Sequence, residues 1–141
     1  MGGSFKRRRR VLGPREQAAY LRQACPWLDV RVAGGCLVAR GNFGSVPWTR
    51  PYQGRIVYEI GRRPRTFIDD PALKRRNDGL PIPHVYAADQ PCTFHPSNWS
   101  PDQPIALTVV PWLMTWLVFY EGWRVTGDWD GGGLHPPAND R

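Results

Sequence analysis

The residues best suited to chemistry gather in one stretch. His84, Cys92 and His95 fall within twelve positions, with Tyr86, Asp89, Asn98 and Trp99 among and just beyond them. A cysteine beside imidazoles supports three readings. It can be an inert packed thiol, because free cysteine is often buried. It can be a nucleophile, because a nearby base or cation raises the thiolate fraction. It can be a metal ligand together with His84, His95 and His135. The spacing His-x7-Cys-x2-His matches no common zinc pattern, so no metal is expected. Hydrolysis by a Cys–His pair needs an orienting amide or carboxylate, which Asn98 or Asn77 can supply, but no local signature of a cysteine hydrolase is present. The other two thiols, Cys25 and Cys36, fall at a predicted helix end and on a predicted strand and read as structural. Three cysteines are an odd number without CxxC spacing, which argues against a disulfide framework or zinc ribbon and suits a reducing cytoplasm. No phosphate-binding glycine loop occurs, so no nucleotide cofactor is expected and any activation must come from elsewhere.

Positioning these residues requires a folded frame, and the chain is long enough to build one. Its 141 residues fit one domain, and 41% hydrophobic against 22% charged residues excludes a disordered chain. No run approaches 18 consecutive apolar residues, and no apolar stretch follows the basic amino-terminal residues. Neither a membrane span nor a secretory signal is expected. Gly13-Pro14 opens a helix over Arg15 to Ala24 that buries Ala18, Leu21 and Cys25 and stops at Pro26. Leu28, Val30 and Val32 then alternate with polar residues, Gly34-Gly35 turns the chain, and Cys36 to Arg40 returns. Residues 41–54 read as a loop or irregular strand. Arg55 to Ile60 alternates again, Gly61 to Pro64 turns, and Arg65 to Ile68 makes a last strand. The expectation is a helix followed by an antiparallel meander of four strands.

Residues 69–104 lose periodicity and carry seven prolines. A structureless stretch of this length is functional or disordered, and Tyr86, Phe94 and Trp99 argue for order. Thr108 can cap a final helix, with Pro111 tolerated in its first turn. Trp112, Leu113, Trp116, Leu117 and Tyr120 form its core face, and the helix is expected to stop near Gly122. The tail from Gly127 onward, with Trp129, reads as a loop docked on the helix beside Trp123.

The charge is lopsided, at +7, with a basic run from Lys6 to Arg10 and a second basic group over Arg62, Arg63, Arg65, Lys74, Arg75 and Arg76. Residues 1–12 read as a flexible basic arm and 13–141 as the domain. Such charge is either a solvated face or a contact for nucleic acid or an acidic protein. No sequence-reading nucleic-acid motif accompanies it.

The order helix, meander, long irregular segment with one cysteine, helix resembles the ubiquitin-conjugating (UBC) fold, an α+β architecture. Pro81-Ile82-Pro83-His84-Val85-Tyr86 before Cys92, Trp99-Ser100-Pro101 after it, and the run from Val110 through Trp116 and Glu121 to Trp129 and Pro136 sharpen the likeness. Together they resemble the prokaryotic UBC-like proteins of antiphage defence operons, including CBASS systems with a cGAS-like nucleotidyltransferase. The likeness covers roughly residues 14–137, and its specific part is Pro81 to Pro136.

That resemblance implies a transferase. The Cys92 thiolate accepts a partner protein's activated carboxyl terminus as a thioester, delivered by a separate activating enzyme, and passes it to a lysine or keeps it. The partner is the nucleotidyltransferase or a ubiquitin-like protein. Eukaryotic members carry an asparagine eight residues before the cysteine, and here that position is His84. Its ring can donate to an oxyanion or act as a base. Otherwise His84 pins the loop through a backbone hydrogen bond. Asn98 is a substitute donor, Asp128 and Asp130 can orient an incoming lysine, and Tyr86, His95, Trp99 and His135 are supporting residues. Two other readings stay open: a UBC-like binding module without catalysis, and nucleic-acid binding through the basic arm.

Overall fold

Sheet and helices follow from where the apolar residues repeat. The computed structural model describes residues 10–44 and 50–131. Helix α1 spans Pro14–Ala24, with Pro14 in the first turn where its missing N–H costs nothing. Strands β1 (Asp29–Ala33), β2 (Cys36–Asn42), β3 (Gln53–Glu59) and β4 (Arg65–Asp70) form an antiparallel sheet in sequential order. The expected helix and meander are present, with β2 and β3 each running slightly further into residues 41–54 than the alternation suggested.

Register puts the apolar side chains on one face. Val30 pairs with Ala39, Val32 with Leu37, Leu37 with Tyr58 and Ala39 with Ile56. Leu37, Ala39, Ile56 and Tyr58 are fully buried. They join α1 through Ala18, Leu21 and Cys25, and the final helix through Leu113, Leu117 and Tyr120, in one core. Leu12 belongs to that frame rather than to an arm. It is buried, its N–H donates to the Pro101 carbonyl at 2.8 Å, and its own carbonyl accepts from the Tyr58 hydroxyl at 3.0 Å. The remaining arm residues 1–9 lie outside the described residues.

Residues 69–104 contain more regular structure than their prolines suggested. Val85–Tyr86 (β5) pairs with Gln90–Pro91 (β6), and 3₁₀ turns cover Ala87–Asp89 and Pro96–Asn98, with a further one, Ile105–Leu107, just beyond. Two-residue strands are too short to show a period in sequence. The hairpin hangs on β4, where the Thr66 hydroxyl donates to the Pro91 carbonyl at 3.0 Å.

Helix α2 spans Val109–Thr126 and corrects two expectations. It passes through Gly122 and ends at Gly127, which adopts the left-handed conformation (φ 86°) and donates its N–H to the Trp123 carbonyl at 2.7 Å. Only glycine takes that conformation without a side-chain penalty, and buried Trp123 supplies the packing that carries the helix past Gly122. Thr108 stands at the amino-terminal boundary, but its hydroxyl donates backward to the Pro104 carbonyl at 2.8 Å instead of capping α2. The segment Ile105–Thr126 is long and apolar enough to cross a membrane by length and composition alone. Its buried Val109, Leu113, Trp116, Leu117, Tyr120 and Trp123 are used in the protein core.

One polar side chain closes the join between α1 and the chain entering α2. Gln17 is fully buried, donates to the Gln103 carbonyl at 3.0 Å, and accepts from the Ile105 N–H at 2.8 Å. Gln17→Ala leaves both backbone groups without their partner inside the protein. Each buried unmet group costs about 1–3 kcal/mol. A loss of roughly 2–4 kcal/mol in urea unfolding is expected, with an unchanged slope. Unaltered stability would show that the amide does not hold this join.

Candidate active site

The hairpin fixes the site from its backbone outward. The Cys92 N–H donates to the His84 carbonyl at 2.8 Å, extending the β5–β6 pairing by one step. The same carbonyl accepts from the Trp116 indole N–H of α2 at 3.1 Å. His84 itself has φ 52°, a conformation that non-glycine residues rarely adopt. It is buried, and its ring lies 5.0 Å from that of Trp129. The His84 main chain therefore pins the loop, while its imidazole reaches the same cleft as Cys92.

That cleft holds about 280 Å³ and is walled mainly by aromatic rings. Phe94, Trp112, Trp116, Phe119 and Trp129 surround Cys92, His84, His95 and Asn98. Trp112 stacks near Phe94 (5.6 Å between centroids), and Trp129 packs on Trp116 (5.4 Å) and Phe119 (6.1 Å). Trp129 comes from the chain just after α2, so the described part of the tail forms one wall. Gly131 permits this: a Cβ there would lie 2.3 Å from Phe119.

Cys92 is half-buried, and its thiol contacts the Phe94 carbonyl at 3.7 Å. On its other side stands the Tyr86 hydroxyl. Arg63 donates to that hydroxyl at 3.0 Å and lies over the Tyr86 ring at 4.2 Å. Arginine has donors only, so the Tyr86 oxygen accepts from Arg63. The Tyr86 phenol is pushed up to about 12, first by burial, then by its hydrogen bond to Cys92 and the charge there, with Arg63 acting the other way. A raised value keeps Tyr86 protonated through the range in which an ordinary thiol ionises.

The other candidates separate clearly. His95 stands at the rim and accepts the Ser97 N–H on Nδ1 at 3.2 Å, with the Ser97 hydroxyl 2.6 Å away. In the neutral ring the proton therefore sits on Nε2. Asn98 lines the cleft on the same 3₁₀ turn. Trp99 is a core residue behind the site, 5.8 Å from Tyr58, and does not line the cleft. Asp128 and Asp130 are exposed and do not line it either, because Thr126 hydroxyl contacts turn the Asp128 backbone at the end of α2. His135 lies outside the described residues. Cys25 is buried, which pushes its thiol up and leaves it inert. Among the described residues, no three His, Cys, Asp or Glu side chains gather as a metal site would require.

Sequence reasoning missed several walls and one cation. Trp112 was read as core, yet it is half-buried and faces the cleft. Trp112, Thr115, Trp116 and Phe119 recur at helical spacing as a second stripe beside the core stripe, and that period was available to be read. Arg63 carried no local signal, since only the hairpin brings it to Tyr86. The Thr93 hydroxyl, next to Cys92, is buried without a hydrogen-bond partner.

Taken together, these features define an α+β protein with a single-cysteine cleft. A family model described as Type II CBASS E2 protein matches residues 17–136, and the chain belongs to that family. The match takes in most of α1, the whole sheet, the cleft and α2, and gives the protein an E2-like role in CBASS antiphage defence. Comparison with curated proteins found no match.

Tyr86→Phe keeps the ring under Arg63 but removes the hydroxyl beside the Cys92 sulfur. Alkylation of Cys92 by iodoacetamide at neutral pH is expected to slow by about threefold to tenfold, the net scale of one hydrogen bond. Peptide mapping separates Cys92 from the other thiols. An unchanged rate would remove Tyr86 from the site.

Proposed function

We propose that Cys92 is the acyl-accepting nucleophile of a UBC-like conjugating protein. The observation that carries this reading is the position of Cys92. Its sulfur sits between the Tyr86 phenol and a cleft that also holds the His84 imidazole, in a chain of an E2-like family. The Cys92 thiolate attacks the thioester carbonyl of a partner protein's activated carboxyl terminus. A tetrahedral intermediate forms, and the delivering thiolate leaves with the electron pair of the broken C–S bond. The product is a new thioester on Cys92. The cleft runs along the face where the acyl chain must lie, and its rings exclude water that would hydrolyse it.

The oxyanion of that intermediate needs a donor. His84 is the first choice, because its ring reaches the cleft from a backbone pinned to Cys92 itself. Asn98 and the unpaired Thr93 hydroxyl are further donors along the same wall. His95, with its Nε2 proton at the rim, is a further hydrogen-bond donor rather than a base for an incoming amine. The acyl group then passes to a lysine or stays on the protein. In this reading the partner is a cGAS-like nucleotidyltransferase or a ubiquitin-like protein, the thioester is delivered by a separate activating enzyme, and the setting is the cytoplasm.

Expression with the operon neighbours tests the proposal on non-reducing gels with mass spectrometry. An adduct is expected whose mass equals the two chains less one water, cleaved by thiol and by hydroxylamine. Cys92→Ala abolishes it, and Cys92→Ser converts it to a thiol-resistant ester. A band with disulfide mass, or no adduct from a folded sample, would leave a protein-binding module as the function.

A further inference from the structure

Tyr86 lines a second concavity, about 550 Å³ in volume, that shares no residue with the aromatic cleft. Arg62, Arg63 and Arg65 line it together with Tyr86, Ala87 and Gln90. Three guanidinium groups thus meet in one groove beside the hairpin that carries Cys92. Only Arg65 has a carboxylate partner among the described residues, Glu59 at 3.5 Å, and both members of that pair are partly exposed. Such a pair contributes little and exchanges readily for a better partner. Asp89, on the turn between β5 and β6, does not line the groove.

The groove is prepared rather than merely charged. Arg63 is held by Tyr86 through both its ring and its hydroxyl, so one guanidinium is fixed before anything binds. Arg65 stands in β4 paired with Val57, and Arg62 follows the turn after β3, its N–H donating to the Glu59 carbonyl at 3.2 Å. Guanidinium forks match carboxylates in a bidentate way, and arginine loses less freedom than lysine in doing so.

We infer that the groove of Arg62, Arg63 and Arg65 docks an acidic peptide segment of the protein whose carboxyl terminus Cys92 accepts. The partner's identity as acyl donor rests on the function proposed above; the groove's preference for carboxylates does not. A peptide fits better than nucleic acid for two reasons. The three arginines fall within four residues of chain, a compact cluster rather than the extended basic stripe that tracks a phosphate backbone. The one aromatic ring in the groove, Tyr86, already has Arg63 over a face and offers a poor platform for base stacking. Tyr86 and Gln90, which line the groove, belong to the hairpin whose next pairing step joins His84 to Cys92, so a segment seated there lies beside the hairpin that carries Cys92.

The test uses the full chain and fluorescence anisotropy at physiological ionic strength. The probes are fluorescein-labelled hexaglutamate, hexaglutamine, and a short oligothymidine. Hexaglutamate is expected to bind, hexaglutamine is not, and Arg62→Glu with Arg65→Glu weakens hexaglutamate binding by about tenfold or more. Arg15→Glu with Arg75→Glu makes the same change in net charge at exposed positions away from the groove and is expected to have little effect. Cys92→Ala is expected to bind hexaglutamate as the unaltered chain does. Equal loss in the two double variants, or no preference for hexaglutamate over hexaglutamine, would overturn the inference. Tighter binding of oligothymidine, lost on reversing Arg62 and Arg65, would overturn it in favour of nucleic acid. If carboxylate binding holds while no adduct forms on Cys92, the thioester reading fails alone.

Discussion

The carbonyl oxygen of His84 holds this site together. It accepts the Cys92 N–H on one side and the Trp116 indole N–H on the other. A carbonyl has two lone pairs, and here both are committed, one to the hairpin and one to α2. Cys92 is thereby tied to α2 through a single backbone atom. Reaching that position requires the uncommon φ of His84, a conformation that costs energy and persists only where surrounding contacts impose it. The rest of the fold supplies those contacts: the Thr66 bond to Pro91 from the sheet, Trp129 against the imidazole, and Arg76 donating to the Trp123 and Arg124 carbonyls at 2.9 and 2.7 Å. The last of these fastens the proline-rich segment before the hairpin to the carboxyl end of α2.

Helix α2 serves two surfaces with one sequence. Leu113, Leu117 and Tyr120 face the sheet, while Trp112, Thr115 and Phe119 face the cleft, and Trp116 sits at the boundary. Aromatic pairs add about 0.5–1.5 kcal/mol each beyond the area they bury. The stacking of Trp116 on Tyr120 (5.5 Å, 10° between planes) and the tilted packing of Trp129 on Trp116 therefore link the hydrophobic core to the wall of the site. Phe94 continues this chain across the cleft to Trp112. The cleft is thus an extension of the core whose surface has been left open.

Much of the frame was legible because it is periodic. Alternation in Val30, Val32, Leu37, Ala39, Ile56 and Tyr58 specified a sheet with one buried face, and Pro14 and Pro26 bounded α1. The end of α2 was not legible, because Gly122 and Gly127 look alike in sequence and only the packing of Trp123 decides between them. The hairpin of β5 and β6 escaped for the opposite reason: its strands are two residues long, and its order comes from tertiary bonds. Proximity in sequence found Cys92, His84, His95 and Asn98 on one cleft, but it also drew in Trp99, as the family resemblance drew in Asp128, and the structure turns both away. The cation nearest the site, Arg63, was visible only as part of a basic group, since its meeting with Tyr86 is a product of β3, β4 and the hairpin together.

The aromatic wall has an optical consequence. Three of the chain's seven tryptophans, Trp112, Trp116 and Trp129, line the cleft. Indole emission responds to the polarity around the ring and to nearby quenchers, and a thiolate and an imidazolium are both quenchers. The protein thus carries a built-in fluorophore array at the cleft that holds Cys92. Anything that enters the cleft, dries it, or changes the ionisation of Cys92 or His84 is written into its intrinsic spectrum without a label.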